Sequence, residues 1–429
     1  MDSHKPHTEK INRPSVIAWS FYDWANSAFS TVVITFVFSV YFAQSVVGDD
    51  VRGSALWGYA IGLSGLCIVL LSPVLGAVAD HYGARKRWLL FFSILCITAT
   101  ACLWFSPPAA DQLTILRVLA LVALANIGFE LSWVFYNAML PHIAPPDKIG
   151  LISGRAWGMG YAGGLTCLAL VLFMLVGLGD VAPLLDLPRD HAEHVRAGVL
   201  LAALWFFLFM LPLLFLTDDN TRTGRSMAEA VSLGLGQLKT TLVNIRRHAN
   251  LARYLVASAL YRDGLNTLFV MGGIYAAGTF GMALHEVLIF AIGLNVTAGT
   301  GAALFALMDH KSGSRRTILV SLVALMILGT GILLVDDKML FIVMALALGL
   351  FIGPVQAASR TMAARLSPPD MAAQTFGLYA FTGKSISFIG PLMFGLAVDI
   401  FGTQRAGMAT ILLFWALGAG LMIKVREPD

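Results

Sequence analysis

Residues 23–29 read D-W-A-N-S-A-F and residues 263–269 read D-G-L-N-T-L-F, so one acidic, amide and aromatic pattern occurs twice inside long apolar runs. Two further pairs follow in the same order. D-H-Y-G-A-R-K from Asp80 returns as D-H-K-S-G-S-R-R from Asp309, with one residue inserted. Pro145-Pro146-Asp147 returns as Pro368-Pro369-Asp370, which sets Gly160 opposite Gly383. Each match is weak alone, but three in the same order and at corresponding helices read as an internal duplication. Of the 429 residues, 58% are hydrophobic and 13% charged, about half the charge of an ordinary soluble protein, and the mean hydropathy is +0.77. Such a composition cannot cover a water-facing globule, so the chain is expected in a lipid bilayer.

About 20 apolar residues cross a bilayer as a helix. Runs of that kind fall at 16–45, 55–80, 87–106, 112–139, 151–177 and 197–216, and again at 253–280, 285–308, 317–335, 339–362, 373–399 and 406–424. The expected fold is an all-α membrane protein with twelve transmembrane helices in two parallel six-helix pseudo-repeats. The repeats occupy 1–216 and 253–429, and 217–252 links them. In the linker, Met227, Val231, Leu235, Leu238, Leu242 and Ile245 recur at three- and four-residue spacing, which predicts an amphipathic helix on the membrane surface. With both termini cytoplasmic, 21 Lys and Arg fall on that side against six on the other, as the positive-inside rule requires. A multi-pass protein of a cell's inner or plasma membrane is expected. The polar first 15 residues and the long first span lack a signal-peptide cleavage pattern, so helix 1 is expected to be retained. The net charge of +4 is a topology signal and implies no nucleic-acid partner. Cys67, Cys96, Cys102 and Cys167 sit in apolar runs and read as small hydrophobes.

Ionisable groups at membrane depth are expensive and normally face a partner or a wet cavity. At 1.5 Å per residue, Lys384 lies roughly 16 Å inside helix 11, Glu130 roughly 13 Å inside helix 4 and Asp263 roughly 15 Å inside helix 7; Asp23 is shallower. Asn26, Asn266 and Gln356 add amides at depth, as do Asn126 and Asn295. A polar central cavity follows. Asp23, Glu130, Asp263 and Lys384 either bind a small zwitterionic or charged solute, with one carboxylate exchanging a proton, or form static pairs such as Asp263–Lys384 or Glu130–Arg155. Gly154, Gly158, Gly160 and Gly164 form overlapping G-x-x-x-G patterns that suit close helix packing. Trp24, Trp133, Trp157, Tyr22 and Tyr261 either line a solute path or pack between helices.

Three motifs fail on context. G-L-Y-A-F-T-G-K-S, Gly377–Ser385, has five residues where a phosphate-binding loop has four, and no strand precedes it. Asn295-Val296-Thr297 is a mid-span glycosylation triplet, and His285-Glu286 lacks the second histidine of a zinc protease. No cofactor, no metal and no enzymatic activity are expected.

The segment G-A-V-A-D-H-Y-G-A-R-K-R, Gly76–Arg87, resembles the loop between helices 2 and 3 of the major facilitator superfamily. Asp80 there stands at the negative end of helix 2, an unfavourable place for an anion, so it needs a basic partner or the start of another helix. The resemblance implies a cytoplasmic gate of Gly76, Asp80, Gly83 and Arg85, with a second copy around Asp309, Gly313 and Arg315, where Phe305 replaces the leading glycine. W-S-F-Y-D-W-A-N-S-A-F, S-G-R-A-W-G-M-G-Y-A-G-G, L-Y-R-D-G-L-N-T, V-Q-A-A-S-R and F-G-L-Y-A-F-T-G-K-S-I-S-F-I-G-P together resemble the vacuole-effluxer-like branch of that superfamily, which includes autophagy-related amino-acid exporters. Arg262, before Asp263, stands where that branch usually carries a neutral polar residue. The resemblance implies a secondary transporter moving amino acids or related small polar solutes outward by alternating access, and a monomer is expected. The alternative is a solute sensor or scaffold on the same fold that moves nothing.

Overall fold

The computed structural model describes residues 13–82, 84–143, 149–178, 181–217, 226–245, 248–367 and 372–427. The proline-proline-aspartate pairs and Gly83 lie outside them, as do the side chains of Asp80 and Asp309. The first half contains helix 1, Arg13–Val47; helix 2, Asp50–His81; helix 3, Arg85–Cys102; helix 4, Gln112–Ile143; helix 5, Ile149–Leu170; and helix 6, Glu193–Leu216. The second contains helix 7, Ala249–Phe280; helix 8, Leu284–Ser312; helix 9, Ser314–Leu334; helix 10, Lys338–Leu366; helix 11, Ala372–Ile386 and Ile389–Phe401; and helix 12, Gln404–Ile423. Eleven of these are apolar and long enough to cross a membrane. Helix 7 is long enough as well, at 32 residues, but Arg253, Arg262 and Asp263 make it more polar.

The repeat is visible in the packing. Helix 5 lies along helix 1, and the first segment of helix 11 lies along helix 7. Gly160 and Gly164 let helix 5 approach Asp23, Ser27 and Thr31, and Gly163 meets the backbone of Trp24. The glycines thus divide: Gly154 and Gly158 face open space instead of a helix. In the second half Gly383 lies under the Arg262 guanidinium and Gly390 under Thr267 and Asp263.

The linker segment Met227–Ile245 is helical, as its spacing predicts, and packs on helix 2. Ser226 and Glu229 cap its start reciprocally, each side chain accepting from the other's backbone N–H. Around it lie the start of helix 1, where the Ser15 hydroxyl donates to Leu216 O at 2.8 Å, and the start of helix 7, where Asn250 and Arg253 donate to the carbonyls of Arg426 and Lys424. Both helix 1 and the chain end therefore share one face, here termed the linker face.

Helix 11 departs from the single span read in the sequence. It breaks at Ser387 and Phe388, because Pro391 has no N–H to donate back to the preceding turn. The second segment starts with unpaired N–H groups, and Asp263 Oδ2 accepts from Gly390 N at 2.9 Å. A buried carboxylate thus caps a half-helix inside the fold.

Candidate functional site

The halves meet in two different ways. Towards the face opposite the linker they touch backbone to backbone. A Cβ on Gly58 would lie 2.7 Å from Pro391 O, and one on Gly273 would collide with Thr35 O. Tyr59 donates to Asp399 at 2.8 Å and Gln404 Nε2 to Asp50 O at 3.0 Å. Small residues make such close approach possible, as in other lipid-embedded interfaces.

Towards the linker face, side chains do the bridging. Lys384 Nζ of helix 11 pairs with Glu130 Oε2 of helix 4, joining the two halves, with 51% and 22% of the side chains exposed. On helix 10, the Arg360 guanidinium sits 4.4 Å from the ring centre of Trp157 on helix 5. Trp157 in turn meets Trp133 edge-on, one turn beyond Glu130 on helix 4. Trp157 and Tyr161 stay 36% and 48% exposed. The space between the halves is therefore lined with charges and aromatic rings on this side.

Arg262 lies against the same segment of helix 11. Its Nη1 donates to Tyr379 O at 3.1 Å, its guanidinium stacks 4.1 Å from the Tyr379 ring centre, and it covers Gly383, the residue before Lys384. Glycine at 383 is what allows this, since a Cβ there would stand 2.8 Å from Arg262 Nη1. Asn266, one turn further along helix 7, is exposed, and Gln356 is half-buried on helix 10.

The remaining candidates sit elsewhere. Asp23 is 3% exposed and accepts from Tyr136 OH at 2.9 Å, with Asn26 buried nearby. Asp263 is 1% exposed and caps Gly390. Neither static pair considered from the sequence forms: Lys384 binds Glu130, and Asp263 binds backbone. Tyr22 and Tyr261 are packed away, with hydroxyls on Ser93 and Ser132, and on Ser359.

Of the residues expected at the gate, Arg85 is buried and donates from Nε to Ala79 O at 2.8 Å. Gly76 faces open space. Lys86 donates to the carbonyls of Leu214 and Thr217, at the negative end of helix 6. Around the second copy, Gly313 has φ +87° and Glu427 of the chain end accepts from Ser314 N and Arg315 N at 2.8 and 2.9 Å. Arg365 of helix 10 pairs with the same carboxylate. Burial pushes the Glu427 carboxyl up, but these N–H groups and the guanidinium outweigh it and hold the group below the usual carboxylate range. Sequence reasoning missed Glu427, Arg365 and the role of Arg360; for Arg360, its place in V-Q-A-A-S-R was the available signal.

Comparison with known proteins agrees with this architecture. The family described as "Vacuole effluxer Atg22 like" matches residues 43–150 and 147–428. The uncharacterized MFS-type transporter YxiO of Bacillus subtilis is 26% identical over 413 residues, covering 96% of this chain and 94% of its own. Autophagy-related protein 22 of Saccharomyces cerevisiae is 22% identical over 403 residues, covering 82% and 73%. Among solved structures, a D-xylose–proton symporter superposes with TM-score 0.67 at 13% identity, covering 98% of this chain and 99% of its own, which shows the shared fold. The chain belongs to the vacuole effluxer Atg22-like family and is a multi-pass membrane transporter of the major facilitator type.

Proposed function

We propose that this protein moves amino acids or related small polar solutes out of the cytoplasm by alternating access, with the linker face cytoplasmic and the membrane a cell's inner or plasma membrane. On this reading residues 1–216 and 253–429 are the two rocking bundles, 217–252 tethers them, and the protein works as a monomer. The observation that carries the proposal is the Lys384–Glu130 pair, an ionic contact between the halves with Lys384 half exposed. A fully buried pair resists separation, since losing one partner costs about 3–5 kcal/mol, whereas an exposed one contributes roughly 0–1 kcal/mol. With Lys384 half exposed, this pair lies near the weaker limit. A solute presenting a carboxylate to Lys384 and an ammonium to Glu130 can replace it, and the halves are then free to repack. Asp23 or Asp263 is the candidate for proton exchange, and the Asp80–Arg85 and Asp309–Arg315 loops are candidates for the cytoplasmic gate.

The test is counterflow of labelled amino acids in proteoliposomes. Glu130→Gln and Lys384→Ala should each lower exchange at least ten-fold, while purified yield and monodispersity stay at the wild-type level. Unchanged exchange in both variants would remove these residues from the site.

A further inference from the structure

We infer that the transported solute carries net negative charge. The inference deepens the transport reading above and rests on it. On the linker side of the passage the described side chains include three cations, Arg262, Arg360 and Lys384, against one accessible carboxylate, Glu130. Glu130 is engaged by Lys384. Neither arginine forms an ion pair among the described residues; each lies flat on a ring, Tyr379 for Arg262 and Trp157 for Arg360.

The other carboxylates at this depth do not balance them. Asp263 follows Arg262 in sequence but turns the other way, is 1% exposed and binds Gly390 N. Asp23 is 3% exposed and accepts from Tyr136. Each is buried and accepts from a protein donor through Oδ2. Ring stacking holds a guanidinium by its face; apart from Arg262 Nη1, which donates to Tyr379 O, it leaves the edge N–H groups to take a carboxylate or phosphate. The two arginines belong to the second half, but Arg360 rests on a ring of the first, so an anion drawn to it also touches the moving boundary. The three cations are linked through shared neighbours: Arg262 covers Gly383, the residue before Lys384, Lys384 holds Glu130, and Trp133 one turn on meets the ring that carries Arg360. A solute with two anionic groups, or an acidic amino acid with its ammonium at Glu130, satisfies this arrangement. A neutral or cationic solute leaves half-buried Arg262 and exposed Arg360 without an anionic partner.

The experiment is counterflow by the full chain in proteoliposomes, with labelled glutamate, succinate, leucine, lysine and glucose at matched ionic strength. It is paired with tryptophan fluorescence titration of the same five probes. Glutamate or succinate should exchange at least ten-fold faster than leucine, lysine or glucose. Arg262→Gln and Arg360→Gln should each weaken binding of the anionic probe about ten-fold, and Arg262→Lys and Arg360→Lys should recover part of it. Exchange of leucine, lysine or glucose at or above the anionic rate overturns the charge assignment and leaves the transport reading standing. No exchange of any probe, with no fluorescence response, overturns both. Should a glutamine variant fail to yield folded protein, the wild-type probe series still decides between these results.

Discussion

Gly390 is the position at which one added methyl should be felt through the whole second half. A Cβ there would collide with Thr267 Oγ1 and stand 3.0 Å from Asp263 Oδ1, so Gly390→Ala must part helix 11 from helix 7. Overpacking of this kind costs about 1–3 kcal/mol. The parting also breaks the bond from Gly390 N to Asp263, a further loss of about 1–2 kcal/mol for a buried carboxylate left without its donor. A net destabilisation of about 2–4 kcal/mol is expected, and at roughly 2–4 °C per kcal/mol the apparent melting point should fall by at least about 4 °C. The assay is scanning fluorimetry of the purified protein in detergent at one fixed scan rate, because unfolding of such proteins is read as a rate. Thr267→Ala removes the obstructing hydroxyl, so the double variant should melt above the sum of the two single effects, the signature of coupled neighbours. Gly420→Ala, with open space at its Cβ, is the control and should leave the melting point unchanged or raise it slightly. A Gly390→Ala protein as stable as wild type, or strict additivity in the double variant, would refute the capped half-helix.

Two other outcomes follow from the same geometry. Glu427→Gln removes an anion from the start of helix 9 and from Arg365, so thermal unfolding at neutral pH should show a loss of about 1–3 kcal/mol. Because the folded state holds this carboxyl below its ordinary value of 4.5, its contribution is present above that value and disappears as pH falls through the lower, folded one. The gap between wild type and variant should close in that acidic window, and a gap that persists there would contradict the cap. Gly58→Val places a side chain against Pro391 O and the Gly395 backbone, which should wedge the halves apart on the face opposite the linker. Cysteine-reactive labelling of Ala55→Cys in a cysteine-free background should then rise several-fold, and equal labelling with and without the wedge would refute the close packing.

The membrane class and the repeat were legible because both are written in composition and order. Apolar runs mark the spans, and the Asp23 and Asp263 segments mark helices 1 and 7, which the structure places on helices 5 and 11 alike. Helix 7 is the exception in hydropathy: two of its three charged residues, Arg262 and Asp263, lie deep in the span, so composition underrates it. Depth was also readable for Lys384 and Glu130, but position along an axis does not give direction around it. Their mutual pairing depends on how two halves separated by more than 200 residues face one another, and no local pattern encodes that. Arg360 lies only about 9 Å from the end of helix 10, so it reads as one more loop-side cation until Trp157 is seen beneath it. Glu427 was hidden for a similar reason, since a lone acid in a polar tail carries no periodicity.

The halves touch backbone to backbone on the face opposite the linker and are expected to open there when solute is exchanged. Phe105 at the end of helix 3 and Leu334 at the end of helix 9 are both exposed on that face. Spin labels at these two positions, in protein reconstituted without native cysteines, report the separation by pulsed dipolar spectroscopy. Two distance populations are expected, with the longer one changing in weight when the solute found by counterflow is added and vanishing from that response in Lys384→Ala. A single distance, indifferent to solute and to the variant, would contradict alternating access in this protein.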